Sequence, residues 1–111
     1  MAFSCNIKKK TMIGFVVPCS FENRKNIIKM CNFFSNIKEA FVCLIANNDL
    51  RNFLNENIKI QNNIIIIESN SNNVSLKRNI GIEFFLNKSL INWISFLDSD
   101  CFVDFNNFTK I

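Results

Sequence analysis

Two acidic side chains near the C-terminal end of the sequence, Asp98 and Asp100, have the type and spacing of a metal site. On an extended segment, residues two apart project to the same side, so the two carboxylates would repel each other in a poorly hydrated crevice. A divalent cation removes that repulsion. Carboxylate oxygens in a chain without histidine favour Mg or Mn over Zn, and such ions usually bridge the protein to substrate phosphates. We therefore predict that both residues hold Mn or Mg together with a diphosphate; an acidic turn or helix cap is the alternative.

Two adjacent basic side chains, Lys77 and Arg78, belong to the first turns of a predicted helix that begins near Asn73. The helix dipole disfavours cations at this end, and an anionic ligand would resolve the conflict. Because helix N-termini bind phosphate readily, we predict that both side chains meet the diphosphate that the metal holds. The alternative is that both point to solvent.

Further polar side chains lie in the loops that follow the first two predicted strands. Glu22 is in the first loop, and Asn48 and Asp49 are in the second. Carboxylate and amide groups can hydrogen-bond the base or ribose of a nucleotide, which is the role we predict for them. Turn formation or helix capping explains these residues equally well.

Four apolar runs, three of them followed by helical spacing, bring these residues to one edge of a predicted sheet. The strands are predicted at residues 12–17, 41–46, 64–67 and 93–97, and the helices at residues 27–34, 50–54 and about 74–87. Apolar strands that alternate with helices predict a parallel sheet covered on both faces and connected by right-handed crossovers. The predicted fold class is α/β, with all the polar loops at the carboxyl edge, where such sheets bind ligands.

The composition predicts one folded domain. Of the 111 residues 49% are hydrophobic, enough to bury a core. No apolar run approaches the roughly 20 residues that cross a bilayer, so we expect no transmembrane segment. The net charge of +4 is modest, and the run of Lys8, Lys9 and Lys10 is predicted to be a solvated surface. Most Phe residues fall at core positions, so we expect no nucleic-acid binding.

The cysteines indicate the redox compartment. Five is an odd number and none is in a C-x-x-C pair, so buried, reduced thiols are favoured over a disulfide framework. The N-terminal residues lack the pattern of a secretory signal. We therefore expect a cytoplasmic protein, with peripheral attachment to a membrane left open.

Three segments, in order and spacing, resemble the family 2 type of GT-A glycosyltransferases. They are residues 13–21 (IGFVVPCSF), 75–82 (SLKRNIGI) and 93–100 (WISFLDSD), and the resemblance covers nearly the whole chain. In that family a first strand ends in proline and a polar loop, a helix opens with a basic-Asn-x-Gly pattern, and a strand closes in D-x-D. The resemblance implies a GT-A type α/β/α sandwich. It also implies a metal-dependent transferase that moves a sugar from a nucleoside diphosphate, UDP above all, to an acceptor hydroxyl.

The resemblance also implies roles for particular residues. Asp98 and Asp100 would hold Mn or Mg on the donor diphosphate, Arg78 would lie near the nucleotide, and the nucleoside pocket would be lined by Pro18, Ser20 and Glu22. The second loop departs from the family, with Asn47, Asn48 and Asp49 where an acidic pair is frequent. Phe21 replaces a frequent Tyr.

The acceptor half of the family normally follows the D-x-D segment and supplies the catalytic base. We therefore expect residues 1–111 to form a single truncated nucleotide-sugar-binding domain, with a glycan or a lipid-linked molecule as the acceptor. Asp104 is too close to the D-x-D segment to match the base, so no catalytic residue is assigned.

Two rival functions follow from the same residues. The first is a catalytically silent nucleotide-binding or interaction module that keeps the fold without the acceptor half. The second is a nucleotidyltransferase-like enzyme, which also uses carboxylates and a metal at a phosphate. The second is disfavoured because residues 18–23 contain no glycine, whereas a glycine-rich loop is expected there.

Overall fold

The computed structural model describes residues 12–59, 61–88 and 90–100. In these ranges the strands are β1 (Ile13–Pro18), β2 (Ala40–Ala46), β3 (Ile64–Glu68) and β4 (Trp93–Phe96), and the helices are α1 (Arg24–Phe34), α2 (Asn48–Asn57) and α3 (Val74–Leu86). A 3₁₀ turn, Phe21–Asn23, precedes α1. The predicted alternation is confirmed, with shifts of a few residues at the ends. The predictions for Lys8, Lys9, Lys10 and Asp104 lie outside the described residues.

The strands form one parallel sheet in the order β3-β2-β1-β4. From β1 the chain proceeds outward through β2 to β3, and it then returns to place β4 on the other side of β1. Gly14 at the centre of the sheet is consequently aligned with Phe41 of β2 and with Ile94 of β4. The fold is therefore α/β with an all-parallel sheet, as predicted, and the strand order reverses between β1 and β4.

Helices cover both faces of this sheet, and each face has its own apolar cluster. On one face α1 and α2 pack against strand residues of β1, β2 and β3, in a cluster that includes Phe15, Leu44, Ile27, Phe34 and Leu54. On the other face α3 packs through Phe85 against Val16, Cys43 and Ile45. All of these side chains are buried, and the removal of their apolar surface from water stabilises the fold.

Helix α3 approaches β1 unusually closely, because two glycines leave room for it. A Cβ atom on Gly81 would lie 2.7 Å from Cγ2 of Val16, and one on Gly14 would lie 2.9 Å from ring atoms of Phe85. Any larger residue at position 81 would push the helix off the strand. Gly81 therefore has a packing reason for its place in the KRNIG segment, and it fixes α3 directly above β1.

The fourth strand is less buried than the prediction of a sheet covered on both faces implies. Trp93 is 65% exposed and Phe96 is 44% exposed, while Ile94 and Ser95 are half-buried. The reason is position: β4 pairs only with β1 among the described residues, and α3 contacts β1 and β2 more than β4. The apolar residues of this segment form a strand at the edge of the described sheet. Apolar content alone therefore does not indicate that a strand is buried.

None of the helices in the described ranges is long and apolar enough to cross a membrane. The described cysteines, Cys19, Cys31 and Cys43, are buried free thiols, which confirms that part of the cysteine prediction. Burial raises the pKa of Cys31 and of Cys43 to about 12, so both thiols are protonated at neutral pH.

Candidate functional site

A cleft of about 560 Å³ opens at the carboxyl edge of the sheet, where the strand order reverses between β1 and β4. Open parallel sheets bind ligands at such reversal points, and the volume is within the range of small-molecule sites. Of the residues predicted from the sequence, six line this cleft: Pro18, Ser20, Glu22, Lys77, Asp98 and Asp100.

The loop after β1 forms one wall of the cleft. Pro18 is buried at the end of the strand, and the backbone N–H of Cys19 donates to the carbonyl of Ile45 at 2.9 Å. The hydroxyl of Ser20 donates to Oε1 of Glu22 at 3.3 Å, so these two side chains form one polar unit. Glu22 is exposed and is free to contact a molecule in the cleft.

The D-x-D segment is held in place by its middle residue. Ser99 is 5% exposed and is the only buried polar side chain among the described residues. Its Oγ accepts from the backbone N–H of Ser20 at 3.2 Å and from Nδ2 of Asn23 at 3.0 Å. Its carbonyl accepts from Nδ2 of Asn26 at 2.9 Å. Ser99 therefore ties the segment after β4 to the loop after β1.

Burial of Ser99 leaves the two neighbouring carboxylates exposed at the cleft. Asp98 and Asp100 both line it, as predicted, but the geometry differs from the extended segment on which the prediction was based. The chain turns at Ser99 and Asp100. The two carboxylates share the cleft because the segment is anchored at Ser99, and strand alternation is not the cause.

The two basic residues of α3 have separate partners. Nζ of Lys77 donates to the carbonyl of Cys19 at 3.1 Å, so Lys77 crosses from the helix to the loop after β1 and lines the cleft. Nη2 of Arg78 lies 3.3 Å from Oδ1 of Asp98, and its guanidinium lies 5.5 Å from the centre of the Phe96 ring. Arg78 contacts the site through Asp98 and does not line the cleft.

The second predicted loop contributes a different residue from those expected. Asn48 and Asp49 are exposed in the first turn of α2, outside the cleft lining. Asn47 lines the cleft, and its side chain caps α2 by accepting from the N–H of Leu50 at 2.9 Å. The backbone N–H of Asn48 donates to Oδ1 of Asn70 at 3.3 Å. This loop therefore serves mainly to begin the helix, and Asn47 is the member that faces the site.

Cys19 lies at the floor of the cleft but is not a nucleophile. It is 3% exposed, and its Sγ donates to the carbonyl of Val17 at 3.2 Å. Burial raises the pKa of this thiol far above its usual value, the Cys31 thiol raises it further, and the charge of Lys77 opposes both effects. Since only the thiolate attacks electrophiles, the cleft does not support cysteine chemistry.

The described residues include no group of three or more His, Cys, Asp or Glu side chains that could enclose a metal ion. The donor set at the cleft consists of Asp98, whose side chain is 63% exposed, and Asp100. Magnesium commonly binds through one or two carboxylates plus phosphate oxygens and water. These residues therefore fit a cation that is shared with a phosphate ligand, and they do not form a closed structural site.

A scan against protein-family models gives no match for this chain, and neither does a search of the curated proteins.

Proposed function

We propose that this chain is the nucleotide-sugar-binding part of a metal-dependent glycosyltransferase of the GT-A type. The reaction is transfer of a sugar from a nucleoside diphosphate, UDP in the first instance, to the hydroxyl of a glycan or lipid-linked acceptor. The observation that carries the proposal is that negatively and positively charged groups line the same cleft. Asp98 and Asp100 attract a cation there, while Lys77 and the beginning of α3 attract an anion. A metal-bound diphosphate matches both sets of charges, because the cation pairs with the carboxylates and the phosphate pairs with Lys77 and the helix N-terminus.

The phosphate end of the ligand is supported by α3. The side chain of Asn73 accepts from the N–H of Leu76 at 3.2 Å, and the cap orders the first turn of the helix. Val74 and Lys77 of the first two turns line the cleft. The positive end of the helix dipole and the ammonium group of Lys77 together favour a phosphate here.

Asp98 and Asp100 are the residues that would hold Mn or Mg. When bound, the ion supplies neutralisation of the negative charge that develops on the departing diphosphate. Ser99 keeps the two carboxylates at the cleft by its hydrogen bonds to the loop after β1. A buried, hydrogen-bonded residue thus supports the proposed site by ordering the segment that carries both carboxylates.

The nucleoside end is supported by the loop after β1. Phe21 is 40% exposed and lines the cleft, and Arg24 covers its ring at 4.6 Å from the centroid. An aromatic ring held in this way offers a surface on which a base can stack. Ser20 and Glu22 beside it supply hydroxyl and carboxylate oxygens for the ribose or the base.

The decisive measurement is calorimetric titration of UDP into the purified chain, with and without Mn. We expect binding that requires Mn and that weakens at least about 10-fold in the Asp98→Ala, Asp100→Ala double variant, the equivalent of one lost charge-assisted contact. Asp49→Ala is the matched control, because that carboxylate is exposed but lies outside the cleft.

Binding of UDP that ignores both Mn and the two carboxylates would refute the metal site. A folded chain that binds no UDP at any Mn concentration would refute the UDP-dependent function as a whole. Metal-dependent binding of a UDP-sugar without release of the sugar would instead favour the silent nucleotide-binding module.

A further inference from the structure

Arg78 is a cationic partner of Asp98. Its Nη2 lies 3.3 Å from Oδ1 of Asp98, across 20 positions of sequence, and joins α3 to the segment after β4. Asp98 is one of the two carboxylates that line the cleft. This carboxylate is thus paired with a cationic side chain of the protein itself.

The contact between Arg78 and Asp98 is weak enough for another cation to replace the guanidinium. The side chains of Arg78 and Asp98 are 40% and 63% exposed, and ion pairs with this exposure are weak because water screens them. Nε of Arg78 is buried without a hydrogen-bond partner among the described residues, so the present arrangement leaves one guanidinium donor unsatisfied. A divalent cation carries twice the charge of the guanidinium and competes with it for the Asp98 carboxylate.

When the guanidinium of Arg78 is displaced from Asp98, a bound diphosphate would give it a new anionic partner. Arg78 belongs to the second turn of α3, and its guanidinium lies beside Asp98 and the Phe96 ring. A diphosphate bound together with a metal at Asp98 would supply phosphate oxygens as the new partner of the displaced guanidinium. Arginine binds phosphate in charge-assisted, often bidentate hydrogen bonds, so the arginine exchanges one anion for another.

We propose that Arg78 is a resident counter-ion for Asp98, which is exchanged when metal and diphosphate bind together. This inference builds on the proposed function. In consequence, the metal alone binds weakly because Arg78 competes for Asp98, and the metal–diphosphate pair binds well because it satisfies both residues. The protein thereby discriminates against free divalent cations and takes up the metal with its nucleotide.

The test compares Arg78→Gln with the wild-type chain in two titrations, Mn alone and UDP in the presence of Mn. Glutamine keeps polar hydrogen-bonding capacity but removes the charge. We expect Mn alone to bind about 2- to 5-fold more tightly, the factor that corresponds to the free energy of an exposed ion pair. We expect UDP with Mn to bind about 3-fold or more weakly, because the phosphate loses its arginine.

Arg51→Gln is the matched control. Nη1 of Arg51 forms an ion pair of similar exposure with Oε1 of Glu68 at 2.9 Å, away from the cleft. This variant should leave both titrations unchanged. Thermal unfolding of all three proteins separates a change in binding from a change in folding.

Unchanged or weaker binding of Mn alone by Arg78→Gln would overturn the counter-ion role. So would the absence of detectable Mn binding by both the wild type and the variant. A wild-type chain that binds Mn but not UDP would count against the proposed function, while the comparison of Mn affinities would still decide whether Arg78 competes for Asp98.

Discussion

The close approach of α3 to β1 makes Gly81→Ala a sharp test of how the site is supported. The added methyl group would overlap Cγ1 of Val16 and lie 2.7 Å from Cγ2 and 3.1 Å from Cβ of the same side chain. Val16 is fully buried in the centre of the sheet and, being β-branched, has little freedom at χ1. The overlap must therefore be relieved by movement of the helix.

The expected magnitude is a difference between two opposing effects. Alanine is favoured over glycine inside a helix by about 1 kcal/mol. Overpacking of a close-packed core costs about 1–3 kcal/mol, and contact with three atoms of a rigid side chain favours the upper half of that range. We expect Gly81→Ala to lower the free energy of unfolding by about 1–2 kcal/mol, and the melting temperature by about 4–8 °C per kcal/mol.

The assay is urea unfolding followed by circular dichroism, with a double-mutant cycle. Val16→Ala removes both Cγ atoms and makes room for the new methyl group, so Gly81→Ala should cost less in that background, with a coupling free energy of about 1–2 kcal/mol. Asn79→Ala, at an exposed position of the same helix, should change stability by less than about 0.5 kcal/mol. Equal effects of Gly81→Ala in both backgrounds, or a stabilised single variant, would refute the packing argument.

Two further outcomes follow from buried polar and titratable groups. Ser99→Ala leaves the Asn23 amide without its 3.0 Å acceptor, so we expect a loss of about 1–3 kcal/mol in urea unfolding, against little change for Ser95→Ala. Burial raises the pKa of Cys31 and of Cys43 from 9.0 to about 12, so the unfolded chain loses these protons first as the pH rises. Stability should therefore fall between pH 9 and 12 by about 1.4 kcal/mol per pH unit for each thiol. A Cys43→Ala variant with an equally steep profile would contradict this.

The elements of the fold were largely predictable, because their signals are local. The apolar runs of β1 and β2 identify buried strands, the run of β3 identifies a half-buried strand, and Asn73 identifies the beginning of α3. The side of α3 that packs was less evident. Leu76, Ile80 and Phe84 recur four apart, yet Leu76 is 52% exposed while Gly81 and Phe85 are the buried positions. A glycine carries no apolar signal, although it allows the closest contact.

The location of the candidate site at the carboxyl edge of the sheet was predictable from the sequence, but the contacts within the site were not. The order of strands and loops is enough to place Pro18, Lys77 and Asp98 at the carboxyl edge of the sheet. The roles of Ser99 and Asn23 could not be inferred, since their hydrogen bond joins positions 76 apart that no local pattern connects. Neither residue carries a local sequence signal, because the burial of Ser99 depends on its contacts with the loop after β1.

The reversal of strand order has a consequence for how the protein folds. β1 pairs on one side with β2, which follows it closely in the sequence, and on the other side with β4, which comes much later. The backbone N–H of Met12 and the side chain of Asn92, for example, are hydrogen-bonded across 80 positions. Contacts of such long sequence separation form late, because the entropy of closing the loop must be overcome before any pairing is gained. On the ribosome, Lys77 emerges long before Asp98 can join the sheet. The cleft is thus completed by the last of the four described strands to emerge, and folding intermediates that lack β4 also lack the side of the cleft that Asp98 and Asp100 form.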